Sequence, residues 1–287
     1  MAEWKDRFWN SADGDIRLHY RDYHGPHDRP PILCLPGLTR NARDFEHVAK
    51  RYAGAWRVLA VDFRGRGLSG YDPDPVRYMP PTYAADVLKL LDQLGIADAV
   101  FVGTSLGGIV TMLLAATDGE RIAGALLNDV GPELSDVGLE RIRGYVGKQV
   151  RHESWAQAAA ALMDRNSDVY PDWGINDWKR FARRVMIQKD GAVQFDYDPR
   201  IADNVQASAD AEPIDAWPLL SGLTEVPVTI LRGELSDLLT PELAAKMQQY
   251  LPQAELVTIP RVGHAPSFDE PESMAALDRL LERVLAR

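Results

Sequence analysis

The sequence predicts an α/β protein: a mostly parallel twisted sheet with helices on both faces and an inserted all-helical segment. Short apolar runs recur along the chain without polar alternation, as is typical of strands that are buried on both faces of a parallel sheet. Longer segments with helical spacing lie between the runs, and this alternation predicts βαβ units. The predicted strands are Ile32–Leu35, Val58–Val61, Val100–Val102, Ala123–Leu127, Val226–Leu231 and Leu256–Ile259.

The segments between the strands carry helix signals of several kinds. Apolar residues between 84 and 94 follow helical spacing and stop at Gly95, a typical C-terminal signal. The segment 106–116 is apolar almost all round, which predicts a buried helix. Thr240 supplies an N-cap hydroxyl before Pro241 at the first helical position. A last helix has one apolar face, formed by Met274, Leu277, Leu281 and Val284.

The N-terminal segment has a different pattern from the rest of the chain. Phe8–Asn10 and Ile16–Tyr20 flank Asp13-Gly14, a strong hairpin signal. We therefore expect an antiparallel hairpin at one edge of the parallel sheet.

The strand–helix alternation breaks between about Gly131 and Asp215 and resumes at Val226. The interruption carries three apolar helical stripes and no run typical of a strand. We predict a core domain formed by residues 1–131 and 216–287, with residues 132–215 inserted as a helical cap. The stripes are Leu139, Ile142 and Val146; Trp155, Ala159, Leu162 and Met163; and Trp178, Phe181, Val185 and Met186.

Composition and charge restrict the possible partners and cofactors. The chain has 287 residues with 46% apolar residues and a formal net charge of −10, and nucleic-acid binding would need a basic surface instead. The single cysteine, Cys34, excludes internal disulfides and cysteine-rich metal sites. We expect no cofactor, no metal and a small-molecule substrate. The oligomeric state is not indicated.

The sequence gives no sign of export or of membrane insertion. The first seven residues carry charges of both signs, and no apolar signal-peptide core follows them. No apolar stretch approaches the roughly 18 residues of a membrane span. We expect a cytoplasmic protein.

The strongest chemical signal is Gly103-Thr104-Ser105-Leu106-Gly107, which lies between a predicted buried strand and a predicted buried helix. A nucleophile on such a sharp strand-to-helix turn has a strained backbone, and glycines two residues before and after it avoid clashes. The turn presents the serine hydroxyl above the sheet. Ser105 is therefore the predicted nucleophile.

A serine hydroxyl needs a base to remove its proton, and one histidine of this chain is well placed. His264 follows the predicted strand Leu256–Ile259, so it should reach the same edge of the sheet as Ser105. The other histidines lie in the N-terminal hairpin and its exit, on a helical surface or in the insertion. They are His19, His24, His27, His47 and His152.

The carboxylate that orients this histidine has two candidates at the same edge. Asp237 follows the strand Val226–Leu231, and the chain order Ser105, Asp237, His264 is the one expected for such a sheet. Asp129, at the end of the strand Ala123–Leu127, is the alternative. We favour Asp237.

Negative charge on the attacked carbonyl oxygen needs fixed hydrogen-bond donors. The backbone N–H of Leu106, directly after the serine, is one predicted donor, and that of Leu38, directly after Gly37, is the other. The underside of the cap should supply an apolar pocket, for which Trp155, Trp178 and Phe181 are candidates.

These motifs resemble those of the α/β-hydrolase superfamily over nearly the whole chain, with 131–215 in the place of the helical cap. Among its members, the sequence looks most like capped bacterial carboxylesterases and enol-lactone hydrolases. The resemblance implies a serine hydrolase with a catalytic triad, an oxyanion hole and no cofactor. It rests on Leu35–Leu38, Asp62–Ser69, Gly103–Gly108, Gly233–Asp237 and Gly263-His264.

The predicted activity is hydrolysis of small or medium uncharged carboxylic esters through an acyl-enzyme. A lactonase or a C–C bond hydrolase would use the same triad with a different pocket. Resembling families of haloalkane dehalogenases and epoxide hydrolases have a carboxylate where this chain has Ser105, which disfavours both. In a different class, the chain could be a non-catalytic ligand-binding member of the fold.

Overall fold

A computed structural model describes residues 3–207 and 215–287. The strands of the main sheet are β1 (Trp4–Asn10), β2 (Arg17–Tyr23), β3 (Ile32–Leu35), β4 (Val58–Asp62), β5 (Ala99–Thr104), β6 (Ile122–Asn128), β9 (Val228–Gly233) and β10 (Glu255–Ile259). These eight strands lie in the order β1-β2-β4-β3-β5-β6-β9-β10. A separate pair is formed by β7 (Met186–Lys189) and β8 (Ala192–Phe195).

The mostly parallel sheet and its antiparallel edge agree with the predicted fold class. From β4 to β10 the sheet is parallel, whereas β1 pairs antiparallel with β2, and β2 antiparallel with β4. Each predicted apolar run lies on a strand of this sheet, within one or two residues at its ends. The predicted N-terminal hairpin is confirmed as β1–β2.

Helices cover both faces of the sheet. The α-helices are α1 (Glu46–Tyr52), α2 (Pro80–Leu94), α3 (Leu106–Thr117), α4 (Asp136–Tyr145), α5 (Trp155–Asn166), α6 (Ile175–Val185), α7 (Ile201–Ala207), α8 (Pro241–Tyr250) and α9 (Pro271–Leu285). On β3, Leu33 packs in the apolar core under α2 and α3, whereas Cys34 packs in the core under α1 and α9. Cys34 is fully buried and packs as a small apolar side chain, and this burial raises the pKa of its thiol.

The segment between β6 and β9, which we call the insertion, contains α4 to α7 together with the hairpin β7–β8. The hairpin corrects the prediction of an all-helical insertion. Its turn is Asp190-Gly191, where both residues have positive φ values of 50° and 76°. Asp-Gly between short strands is a hairpin signal that the helical periodicity of the neighbouring stripes obscured. Residues 208–214, at the end of the predicted range 132–215, lie outside the described residues.

Arg184 of α6 joins the insertion to the core. Its guanidinium lies 2.8 Å from the Asp269 carboxylate, in the loop after β10, and its carbonyl accepts a hydrogen bond from Arg43 at 2.8 Å. His47 also contacts Asp269, at 2.9 Å. Burial alone would raise the pKa of Asp269, but the hydrogen bond from His47 and the charge of Arg184 lower that pKa to about 2. The charged form of Asp269 therefore stabilises this junction.

Asp269→Asn should lower the free energy of unfolding by about 2 kcal/mol at neutral pH. The carboxyl has a lower pKa in the folded protein than in the unfolded chain, and this difference stabilises the folded state by about that amount. The folded pKa is below the unfolded one, so the contribution is present above about pH 4 and is lost as pH falls towards 2. Urea unfolding between pH 7 and pH 3 measures the difference. Asp164→Asn, at an exposed position in α5, is the control and should show no such pH dependence. A constant difference at every pH would contradict the assignment.

No helix in the described ranges has both the length and the apolar character needed to cross a membrane.

Candidate active site

Ser105 occupies a strained turn between β5 and α3. Its φ is 51° and its backbone N–H donates to the Asn128 carbonyl at 3.0 Å. A Cβ at Gly103 would lie 2.5 Å from the Gly107 carbonyl oxygen, and one at Gly107 would lie 2.1 Å from the Leu35 carbonyl oxygen. Only glycine fits at these two positions, so the local sequence is the one that this turn requires.

Ser105, His264 and Asp129 form a continuous hydrogen-bonded series. The His264 Nε2 atom lies 3.0 Å from Ser105 Oγ, and Nδ1 lies 2.7 Å from Asp129 Oδ2. The Asp129 side chain is fully buried and that of His264 is 8% exposed. A histidine held between a serine hydroxyl and a buried carboxylate can accept the serine proton.

The structure corrects the predicted acid, since Asp129 and not Asp237 contacts His264. Asp129 comes directly after β6, which lies beside β9, and its side chain reaches His264 in the loop after β10. Asp237 lies four residues past the end of β9 and pairs with Arg141 of α4 at 2.5 and 2.8 Å. Burial alone would raise the pKa of Asp237, but the hydrogen bonds and charge of Arg141 hold it below its ordinary value. Asp237 is therefore the partner of a cation in the insertion.

Two further donors fix the Asp129 carboxylate. The Gly233 N–H donates to Oδ1 at 2.8 Å, and the Ser236 hydroxyl donates to Oδ2 at 2.6 Å. The loop after β9 thus contributes Ser236 to the site, one residue before the predicted Asp237. Chain position alone could not distinguish these neighbours, because the distinction depends on which side chain turns inwards.

The loop after β3 lies against the nucleophile. A Cβ at Gly37 would lie 3.7 Å from the Ser105 Cβ, so this loop passes beside the serine. The Leu38 carbonyl accepts a hydrogen bond from the fully buried Arg66 at 2.9 Å, which fixes the loop. Leu106 is the first residue of α3, where the helix offers no acceptor for its N–H. Both predicted oxyanion donors therefore belong to backbone at the edge where Ser105 lies.

A cavity of about 90 Å³, which we call the catalytic pocket, contains Ser105 and His264 in its wall. The insertion contributes Ile142, Tyr145 and Tyr170 to the same wall. The Tyr170 hydroxyl donates to the Ala265 carbonyl at 2.6 Å. Burial raises the pKa of the Tyr170 phenol. Tyr170 thus holds the residue that follows His264.

The predicted pocket aromatics have different positions. Phe181 lines a second cavity that adjoins the catalytic pocket. Trp178 is fully buried in the insertion and packs edge-to-face on Phe181, whereas Trp155 stacks under the Arg183 guanidinium at 3.9 Å. Neither tryptophan lines the two cavities. Helical periodicity identified their apolar stripes but could not say which side of each helix faces the sheet.

In the described part of the chain, no group of three or more His, Cys, Asp or Glu side chains could hold a metal ion.

The eight-stranded sheet and the serine at its strand-to-helix turn define a protein of the hydrolase class. A model of the alpha/beta hydrolase family matches residues 32–277, and the chain belongs to this family. It is 32% identical over 274 residues to 3-hydroxybutyrate-oligomer hydrolase from Cupriavidus necator, covering 92% of each chain.

Two further similarities support the assignment. The crystal structure of an alpha/beta hydrolase from Novosphingobium aromaticivorans has 56% sequence identity and a TM-score of 0.94, over 99% of each chain. The 2-(acetamidomethylene)succinate hydrolase of Mesorhizobium japonicum is 27% identical over 247 residues, which cover 85% of this chain and 84% of that protein.

Proposed function

We propose that this protein is a serine hydrolase that cleaves carboxylic esters through an acyl-enzyme. The observation that carries the proposal is the Ser105–His264–Asp129 series, with contacts of 3.0 and 2.7 Å. Ser105 Oγ attacks the ester carbonyl while His264 Nε2 takes its proton. Asp129 accepts from Nδ1–H, which selects the tautomer and stabilises the imidazolium that forms.

The second half of the reaction uses the same groups. The imidazolium gives its proton to the departing alkoxide, so the alcohol leaves and the acyl group stays on Ser105. A water molecule then attacks the acyl carbon with His264 as base, and the acid leaves as Ser105 recovers its proton. The backbone N–H groups of Leu38 and Leu106 stabilise the oxyanion in both steps.

One of the similar proteins supports ester chemistry. The similar protein from Cupriavidus necator is a hydrolase of 3-hydroxybutyrate oligomers, and units of a hydroxy acid are joined by ester bonds. The catalytic pocket has a volume of only about 90 Å³ and the second cavity that adjoins it about 410 Å³, so the space near Ser105 favours short and medium acyl groups over long ones.

Initial-rate measurements on a p-nitrophenyl ester series test the proposal. We expect turnover of the acetate and butyrate esters with release of the free acid, a decline from octanoate to palmitate, and no change after dialysis against EDTA. Absence of turnover for every ester in the series would contradict ester hydrolysis. Loss of activity on chelation, restored by a divalent ion, would contradict a serine mechanism without metal.

Ser236→Ala should lower kcat roughly tenfold, because a hydroxyl hydrogen bond to the Asp129 carboxylate would be lost. KM should change little, because Ser236 is absent from the walls of both cavities. Ser236→Thr keeps a hydroxyl and should recover most of the rate. If both variants lose kcat equally, or if KM rises while kcat stays constant, Ser236 does not position Asp129.

A further inference from the structure

We propose that the second cavity binds a carboxylate at the end of the substrate remote from the scissile ester, with Lys148 and Arg165 as its ligands. The inference rests on ester hydrolysis at Ser105, proposed above. It names the substrate class as esters that carry an acid group, and it replaces the expectation of uncharged esters.

The second cavity, which we call the cap cavity, adjoins the catalytic pocket. It has a volume of about 410 Å³ and is enclosed mainly by residues of the insertion. Its wall shares residues with that of the catalytic pocket, namely Thr39, Arg40, Tyr145, Tyr170 and His264. A substrate whose ester lies at Ser105 can therefore extend past His264 into this space, which has the size of an ordinary ligand site.

The charge of the cap cavity is opposite to that of the whole protein. Four cationic side chains line it and Asp168 is the one anion among the described residues of its wall, whereas the chain carries −10. The cations are Arg40, Arg141, Lys148 and Arg165. A concave site lined by several cations attracts an anion even to a protein of negative net charge, because nearby charges outweigh distant, screened ones.

Two of these cations already have partners inside the protein. Arg40 lies 2.8 Å from Asp44 and stacks over the Phe181 ring at 4.5 Å. Arg141 is paired with Asp237, and its pKa is raised first by that hydrogen bond and further by the charge of Asp168. Asp44 and Asp237 are therefore occupied by these two arginines, whereas Asp168 of the wall accepts the Val169 N–H at 3.1 Å.

Lys148 and Arg165 remain available for a ligand. Within the described ranges, neither side chain has a hydrogen-bond or ion-pair partner, and both are exposed at the cavity wall. They come from different elements: Lys148 follows α4 and Arg165 lies in the last turn of α5. An ammonium and a guanidinium that converge on one cavity suit a carboxylate, which accepts hydrogen bonds from both.

The rest of the wall suits the chain between the ester and the acid. Leu162, Val185 and Phe195 give the cap cavity apolar surface between its cations. An aliphatic linker can pack there while its terminal carboxylate reaches the charged groups.

A pair of isosteric substrates tests the proposal. Mono-p-nitrophenyl adipate carries a carboxylate where p-nitrophenyl 5-carbamoylpentanoate carries a neutral amide, and both release the same phenol. A second pair, 4-(butanoyloxy)butanoate and its amide, places the carboxylate on the alcohol side. The wild-type enzyme should prefer the acid in at least one pair by about tenfold in kcat/KM, and the preference should fall as salt is added.

The variant Lys148→Gln/Arg165→Gln should reduce the ratio of kcat/KM for the acid to kcat/KM for the amide to about one. Lys50→Gln/Lys89→Gln removes the same charge from exposed positions outside both cavities and should keep the ratio. Equal rates for acid and amide in both pairs, or an unchanged ratio in the cavity variant, would overturn this inference alone. Turnover that persists in Ser105→Ala would instead overturn the proposed function.

Discussion

Replacing Ser105 by alanine should lower ester turnover by roughly 10⁴- to 10⁶-fold, because the attacking oxygen is removed from a series of groups that act together. The fold should persist, since within the described residues the hydroxyl is hydrogen-bonded to His264 alone, while the backbone of the turn is held by its own hydrogen bonds. Initial rates with p-nitrophenyl butyrate, together with a urea unfolding curve, measure both expectations.

Ser221→Ala is the matched control, because Ser221 is exposed and lies outside both cavities. It should retain the wild-type rate. A folded Ser105→Ala protein with wild-type turnover would show that another group is the nucleophile, and the proposed function would fail with it.

Asp129→Asn should lower kcat by about 10⁴-fold, because an amide in this position can hold the histidine in the wrong tautomer. Asp237→Asn should lower it by less than about tenfold, since the structure pairs Asp237 with Arg141 and not with His264. The two substitutions change the same chemical group at the same edge of the sheet, so each is the control for the other.

Rates with p-nitrophenyl butyrate at saturating concentration compare the two variants, and unfolding curves establish that both are folded. The reverse order, with Asp237→Asn the more damaging, would mean that the acid acts from the loop after β9 as the sequence order suggested.

The sheet was predictable because its pattern is local. The apolar runs of β3 and β6 are buried over their whole length, and a strand buried on both faces needs no partner to be recognised in the sequence. The turn around Ser105 was predictable for the same reason, since Gly103 and Gly107 are required by clashes within a few residues. In the insertion the sequence shows the helical stripes, but these stripes mask the β7–β8 hairpin despite its Asp190-Gly191 turn.

The parts that could not be predicted depend on side-chain direction across long sequence separations. Asp129 and Asp237 both follow strands that end at one edge, and their roles differ because Asp129 contacts His264 whereas Asp237 pairs with Arg141. Tyr145 and Tyr170 line the catalytic pocket although no periodic stripe pointed to them. Lys148 and Arg165 line the same cavity from two different elements, a placement that periodicity does not specify.

Mapping of a covalent label tests the central claim, that Ser105 is a nucleophile activated by His264. The wild-type protein, treated with a fluorophosphonate, is digested and its peptides are sequenced by mass spectrometry. We predict one phosphonylated residue, Ser105, with labelling that tracks the loss of p-nitrophenyl butyrate turnover and that is abolished in Ser105→Ala. A label on another residue that accompanies inactivation, or an active enzyme that resists the reagent completely, would contradict the claim.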